Sequence, residues 1–241
     1  VQEFTKATIQ ILALNEVRSL YDTVETILET CEHADIERIN LLLAEHATPG
    51  CRAMAERLRE ESTDVPVGVF RQNSPSIPEV YFRAIQDCTA SHMLLMSSDG
   101  ETDPHAVHLL IEQAKSRPDC LVVASRWIQG GGFENYGWIN QTLNYGFQWL
   151  AHLLYRVKMT DASFVFGICP QHGYAAQGLR PEEQGFSSAM EFKLRLIKRG
   201  MPVCEVPVSW KPRQEGKSNN SFLNKLQYLK PMLRTLFLKE L

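Results

Sequence analysis

The 241-residue sequence predicts an α/β fold in which one domain is built on a mostly parallel sheet with helices on both faces. Three observations predict it. Short, almost continuously apolar runs recur along the first half of the chain, the composition of strands buried on both sides. Amphipathic helical stretches alternate with those runs. No Pro-, Gly- or Ser-rich linker divides the chain into two units.

In order, Thr8 to Ala13 (T-I-Q-I-L-A) reads as a strand, and Asn15 and Glu16 open a helix that runs to about Cys31. Ile39 to Ala44 is a second strand, ended by T-P-G at Thr48 to Gly50, with a helix over Cys51 to Glu61. Val65 to Phe70 is a third strand and Pro78 to Ala90 a helix. His92 to Ser97 is a fourth strand, broken by Asp99-Gly100. Asp103 then caps a helix that Pro104 begins and that ends near Ser116. Leu121 to Ala124 is a fifth strand. Gly130-Gly131-Gly132 reads as a flexible loop. Ile139, Leu143, Phe147, Leu150, Leu154 and Val157 then recur at helical spacing, with Asn140, Asn144 and Gln148 off that stripe. The stripe suits core packing or a surface helix meeting lipid. Pro181 to Arg199 is helical and closed by Gly200, Pro202 to Trp210 is a late strand, and Lys211 to Ser221 is a basic loop. Residues 222–241 form an amphipathic C-terminal helix kinked at Pro231, suited to an anionic membrane surface or to a neighbouring subunit in a homo-oligomer.

The composition removes several classes. No run reaches the roughly 18 apolar residues of a membrane span, and the N-terminus lacks a signal-peptide pattern. The six cysteines are scattered without a C-x-x-C pair, which points to reduced thiols in a cytoplasmic setting. Net charge is −3 but asymmetric: residues 1–120 carry ten basic and twenty acidic side chains, and residues 121–241 carry fifteen and eight. The basic half can face phosphates or an anionic lipid surface, or be an ordinary solvated face. No nucleic-acid partner is expected.

Three constellations carry chemistry. In a parallel sheet, ligands bind beyond the carboxyl ends of the strands. The loops Ala13-Leu14-Asn15-Glu16, Ala44 to Gly50 and Ser97 to Pro104 therefore share one edge. Asp99 and Glu101 form a carboxylate pair suited to Mg²⁺ or Mn²⁺ with a diphosphate, although Asp-Gly is also a common turn. Ala13, Leu14, Asn15, Glu16 and Glu45 are placed to read a base and ribose, and Asn15 can equally serve as a helix cap. Ser98 lies in the same edge. Arg126, Arg213 and Lys217 are phosphate-clamping cations or solvated charges.

Leu14-Asn15-Glu16, Ser97 to Pro104, Ser125-Arg126-Trp127 with the triple glycine, Asp161 to Gly167, Gly185 to Glu191, Glu205-Val206-Pro207-Val208 and Arg213 to Asn219 follow one another over nearly the whole chain. Their order and spacing resemble glycosyltransferase family 2 of the GT-A type, in particular the dolichol-phosphate and polyprenyl-phosphate sugar transferases. The departures from the family pattern are Ser97 for the first acid of its metal motif, Ala44 for the first acid after the second strand, Gly167 for an arginine and Asn219 for a closing lysine.

The resemblance implies a GT-A (Rossmann-like) domain over 1–221, with 1–120 binding the nucleotide sugar and 121–221 the acceptor. It implies inverting transfer from a UDP- or GDP-linked sugar to a lipid phosphate. A metal on Asp99 and Glu101 would neutralise the diphosphate, with Arg213 and Lys217 adding positive charge and Arg126 holding the acceptor phosphate. A saccharide hydroxyl acceptor would instead need a base, with Glu191 and Asp161 as candidates. A non-catalytic GT-A binding domain is the remaining alternative.

Overall fold

The computed structural model describes residues 3–71, 86, 88–171, 187–213, 215 and 228–238. Most of the expected Pro78 to Ala90 helix, the start of the Pro181 helix and residues 216–227 lie outside the described residues.

Seven strands form the main sheet: β1 (Ala7–Ala13), β2 (Ile36–Leu43), β3 (Val67–Arg71), β4 (His92–Ser97), β5 (Leu121–Ser125), β7 (Gly167–Pro170) and β8 (Val203–Pro207). Their order is β3-β2-β1-β4-β7-β5-β8. Every neighbouring pair is parallel except those of β7, which runs antiparallel between β4 and β5. The sequence reading did not include β7, because four residues leave no measurable period. Gly167 is needed there: a Cβ on it would lie 2.8 Å from the Val122 carbonyl oxygen. An arginine at 167 is thus excluded by packing against β5.

The helices are α1 (Arg18–Thr30), α2 (Pro49–Glu61), α3 (Ala106–Ser116), α4 (Trp138–Tyr155), α5 (Ser187–Lys198) and α6 (Leu229–Phe237). One face of the sheet (Ile9, Ile11, Ile39, Leu41, Leu94, Met96) packs with α1 and α3 through Leu20, Val24, Ile27, Val107, Leu110 and Ile111. The opposite face (Met93, Leu121, Val123, Cys169) packs with Ala151, Met190, Phe192, Leu194 and Met232 of α4, α5 and α6. Each such side chain contributes roughly 1.5–3 kcal/mol when fully buried, and the apolar runs bury both faces as a parallel sheet requires.

Local signals set several ends. Thr48 Oγ1 accepts from Cys51 N at 3.3 Å, and Pro49 opens α2. Gly200, at φ +85°, ends α5 with Gly200 N donating to Ile197 O and Met201 N to Leu196 O, a Schellman closure. α3 starts at Ala106, two residues later than Pro104. Asp103 Oδ1 accepts from His105 N at 3.1 Å, so it caps the turn leading into the helix.

Three expectations need correction. The triple glycine is a tightly packed turn: Gly130 has φ +91°, and a Cβ on Gly131 would lie 2.6 Å from Ser125 O. Gly132 enters β6 (Gly132–Phe133), which pairs with β9 (Ser209–Trp210) in a second small sheet. The late strand is therefore split, with Val208 passing from one sheet to the other. Third, Pro231 lies in the first turn of α6 and not in the interior of a longer described helix.

Candidate functional site

Strand order reverses between β1 and β4, since β1 leads outward through β2 to β3 while β4 lies on its other side. Crevices form at such points beyond the carboxyl ends of the strands. Backbone hydrogen bonds tie the three loops there: Ala44 N to Ala13 O at 2.9 Å, Thr48 N to Leu14 O at 2.8 Å and Ser98 N to Leu12 O at 3.1 Å. Ser98 Oγ also donates to Leu12 O at 2.9 Å. Ser98 is fully buried and pins the edge together.

Glu16 is buried and braces its own loop, its Oε2 accepting from Leu14 N at 2.6 Å and Asn15 N at 3.0 Å. Asn15 Oδ1 is buried without a hydrogen-bond partner among the described residues. An orphaned buried acceptor at this crevice suits a ligand hydroxyl or N–H. Glu45 is partly exposed at the end of β2, with its carboxylate 3.8 Å from His46 Nε2.

The turn after β4 aims the carboxylates. Gly100, at φ +80°, lets Asp99 and Glu101 lie on the same side. Asp99 Oδ1 accepts from Ser97 Oγ at 2.8 Å and from Glu101 N at 3.0 Å. Ser97 therefore orients Asp99 where an acid would repel it. The remaining oxygen, Asp99 Oδ2, is 2.8 Å from Arg213 Nη2, and Glu101 Oε1 accepts from Arg213 Nε at 3.0 Å. Trp210 also bonds Glu101. Burial raises the Glu101 pKa, aided by Asp99 and opposed by Arg213. Burial works against charged Arg213, but Asp99 and Glu101 outweigh it and raise its pKa.

Two carboxylates thus converge on one cation. Among the described residues no group of three or more His, Cys, Asp or Glu side chains can hold a metal. Two hard oxygen donors fit Mg²⁺ or Mn²⁺, which keep waters or substrate phosphates as their other ligands.

The sequence profile of "Glycosyl transferase family 2" matches residues 8–172, which include most of β1, β4, the acid pair and Asp161. The chain belongs to glycosyl transferase family 2. It is 24% identical over 181 residues to the dolichol-phosphate mannosyltransferase of Pyrococcus furiosus, covering 74% of this chain and 50% of that protein. It is 22% identical over 217 residues to the undecaprenyl-phosphate mannosyltransferase of Micrococcus luteus, covering 86% and 84%. The chain thus spans about half the length of the first relative and most of the second. Its fold is that of glucosyl-3-phosphoglycerate synthase from Mycobacterium tuberculosis, solved with Mn²⁺, UDP and phosphoglyceric acid. The TM-score is 0.69 at 12% identity, over 98% of this chain and 80% of that one. The same protein with UDP alone gives a TM-score of 0.71. The sheet is accordingly a GT-A glycosyltransferase sheet.

In this family 2 domain, two of the sequence-predicted residues are placed away from open ligand space. Arg126 is almost fully buried and forks onto Asp161, with Nε to Oδ2 at 2.7 Å and Nη2 to Oδ1 at 2.8 Å. Its guanidinium lies 4.4 Å from the Phe164 ring centroid and 5.1 Å from that of Phe133. The structure thus places Arg126 on Asp161, and both charges are paired with each other in the interior. Glu191 is fully buried and pairs with Arg234 of α6 at 2.9 Å. It ties α6 to α5. Lys217 lies outside the described residues.

Several residues were missed. Gln148 stood off the apolar stripe yet is buried. Its Nε2 donates to Ser163 Oγ at 2.7 Å and Asp161 Oδ1 at 3.3 Å, and its Oε1 accepts from Ala162 N at 2.8 Å. Glu205 accepts from Thr160 N at 2.7 Å and Asp161 N at 3.3 Å. Lys193 is buried on the Phe164 carbonyl, and burial pushes its pKa down to about 8. Only Glu205 had a sequence signal, as the acid of E-V-P-V; the others meet through contacts distant in sequence.

Proposed function

We propose that this family 2 enzyme moves a sugar, with inversion, from a nucleotide diphosphate sugar to a polyprenyl-type lipid phosphate at a membrane surface. The donor half rests on the acid pair and the orphaned Asn15 oxygen at the β1/β4 crevice. Asp99 and Glu101 would hold Mg²⁺ or Mn²⁺, which supplies charge neutralisation for a departing diphosphate. Arg213 would move from the acids to the developing phosphate charge. A phosphate acceptor oxygen is already anionic, so no general base is required, in keeping with the buried pairing of Asp161 and Glu191.

One observation carries the acceptor half. Trp138, Ile139, Leu143, Tyr145, Trp149 and Leu153 of α4 are exposed, Trp138 by 77% and Trp149 by 57%. Leu233 and Phe237 of α6 are exposed as well, Phe237 by 81%. From this face a chain of ring contacts runs Tyr145–Trp127–Phe133–Tyr136–Trp210, with centroids 4.8–5.5 Å apart, and Trp210 bonds Glu101. Exposed aromatic and aliphatic side chains of this kind seat in a bilayer interface, and the ring chain leads from there to the acid pair. No described helix is long and apolar enough to cross a membrane. The names of the two mannosyltransferase relatives point to the same acceptor chemistry.

The inward half of α6 packs on the domain. Tyr155 OH donates to Met232 O at 2.6 Å, and Lys198 Nζ donates to Thr235 O at 2.9 Å. Removing the C-terminal segment would therefore expose core, and point changes on the outer face are the better test. Intact protein should co-sediment with anionic vesicles and transfer sugar to undecaprenyl phosphate. Trp149→Glu should lose vesicle binding while keeping Mn²⁺-dependent UDP or GDP binding. Indifference to vesicles, with transfer to a saccharide hydroxyl, would sink the lipid acceptor and favour the saccharide reading. Donor binding without transfer to either would leave a binding domain.

A further inference from the structure

Helix α1 begins without a cap of its own. No side chain bonds its N-terminus from Val17, and no acidic residue stands in its first turn. The missing partner comes from nearly two hundred residues away. Glu215 Oε2 accepts from Val17 N at 2.8 Å, Ser19 N at 3.2 Å and Ser19 Oγ at 3.1 Å, and Oε1 accepts from Arg18 N at 3.2 Å. A carboxylate at a helix N-terminus satisfies orphan N–H groups and the positive end of the dipole. Two residues before it, Arg213 bridges Asp99 Oδ2 and Glu101 Oε1. This stretch is thus held at both ends by charge, a cation on the acid pair and an anion on the helix. Val17 also lies against the start of α2, its Cγ2 3.2 Å from where a Cβ on Gly50 would sit. The anchor is therefore on the scaffold and not on another loop.

We propose that Glu215 is a positioning residue that acts through Arg213. By clipping the chain to α1 it holds the guanidinium on Asp99 and Glu101 as an internal counter-cation, which a divalent ion must displace. The inference rests on the proposed metal role of the acid pair. In the donor-free enzyme Arg213 neutralises two carboxylates that would otherwise repel each other. A free divalent ion competes with it for the same oxygens and binds weakly. A diphosphate arriving with the ion offers Arg213 a new anion within reach of the Glu215 anchor, so metal and diphosphate enter as one unit. Glu215 keeps the released arginine beside the diphosphate and out of bulk water.

The sign of one measurement separates this from simple helix capping. Free Mn²⁺ affinity of the donor-free protein is read by electron paramagnetic resonance of the unbound ion. Arg213→Ala should tighten Mn²⁺ about tenfold, because the competing cation is gone. Glu215→Gln should tighten it about threefold, although removing a nearby negative charge by itself would weaken it. Ser19→Ala, which shortens the clip without changing charge, should shift affinity in the same direction by less. The Arg213→Ala/Glu215→Gln double variant should match Arg213→Ala alone, since the two act on one event. Weaker Mn²⁺ binding in Glu215→Gln, or additive effects in the double variant, overturns the clip. Asp99→Asn reports on the metal site itself: Mn²⁺ binding that survives it fails the metal reading and removes the ground for the clip. Binding that depends on Asp99 while Glu215→Gln has the wrong sign fails the clip alone. Unchanged circular dichroism and melting of each variant establish that affinities are compared between folded proteins.

Discussion

Arg126 with Asp161 and Arg213 with Asp99 and Glu101 are two versions of the same chemistry in different surroundings. In sequence both arginines qualify as phosphate clamps. In the fold, the first pair is closed: Asp161 is fully buried, both fork nitrogens face it, two aromatic rings lie close to the guanidinium, and Gln148 and Ser163 bond to the pair. The second pair lies at the crevice, with Arg213 side-chain exposure of 21%. A buried pair of good geometry is a fixed joint, since separating it strands a charge in low dielectric. A partly hydrated pair can exchange partners at modest cost. Burial, not residue type, separates a structural arginine from one free to move during a reaction.

The largest expected effect is on the closed pair. Arg126→Ala should cost about 3–5 kcal/mol of stability by leaving Asp161 buried and uncompensated, read from urea unfolding. Replacing both partners, as in Arg126→Met with Asp161→Leu, should recover most of that loss. If Arg126→Ala unfolds at the wild-type midpoint, the pair is not the joint described here.

At the open pair, Arg213→Ala should cost less stability than Arg126→Ala, since water reaches the acids it leaves behind, and should lower kcat about 100-fold, or about 2.7 kcal/mol, with little change in nucleoside affinity. Steady-state kinetics would reverse the assignment if only KM rose.

Asp99→Asn should weaken Mn²⁺-dependent nucleotide diphosphate binding at least tenfold, or about 1.4 kcal/mol, with binding in chelator unaffected. Equal affinities by calorimetry at saturating Mn²⁺ would remove Asp99 from the metal site.

The smallest effect concerns Lys193, beside the closed pair. Its folded pKa of about 8 lies below the ordinary value of 10.5 because burial disfavours the ammonium. Between those values the unfolded chain binds more protons than the folded one, so stability rises with pH across that window and is flat below it, as far as this group is concerned. The melting temperature of wild type relative to Lys193→Met should climb from about pH 8 to about pH 10. A difference constant with pH would show that Lys193 is charged throughout.

Much of the sheet was legible in the sequence. β4 was read to the residue, and β1, β2, β3 and β5 within a few residues, because buried parallel strands are nearly pure apolar runs. The edge shared by Asn15, Ala44 and Asp99 followed from strand direction alone. Legibility fell where period and length gave no signal. β7 is four residues long, and β6 and β9 have two each. The stripe on α4 was real but did not indicate what it faces. Phe147, Leu150 and Leu154 pack on the core, while Ile139 and Leu143 are exposed and polar Gln148 is buried. Periodicity gives a helix a face but does not assign that face a neighbour.

By itself the sequence determined the fold class, the family motifs and the carboxylate pair after β4. These depend on local composition, on turn residues such as Gly100 and on residues adjacent along the chain. Only the tertiary structure decided which charges are free and which are spent. It put Asp161 on Arg126, Glu191 on Arg234, Glu215 on the bare end of α1 and Arg213 on the acids. An ionic group's role depends on its partner and on how much water remains around it, and both come from segments far apart in sequence.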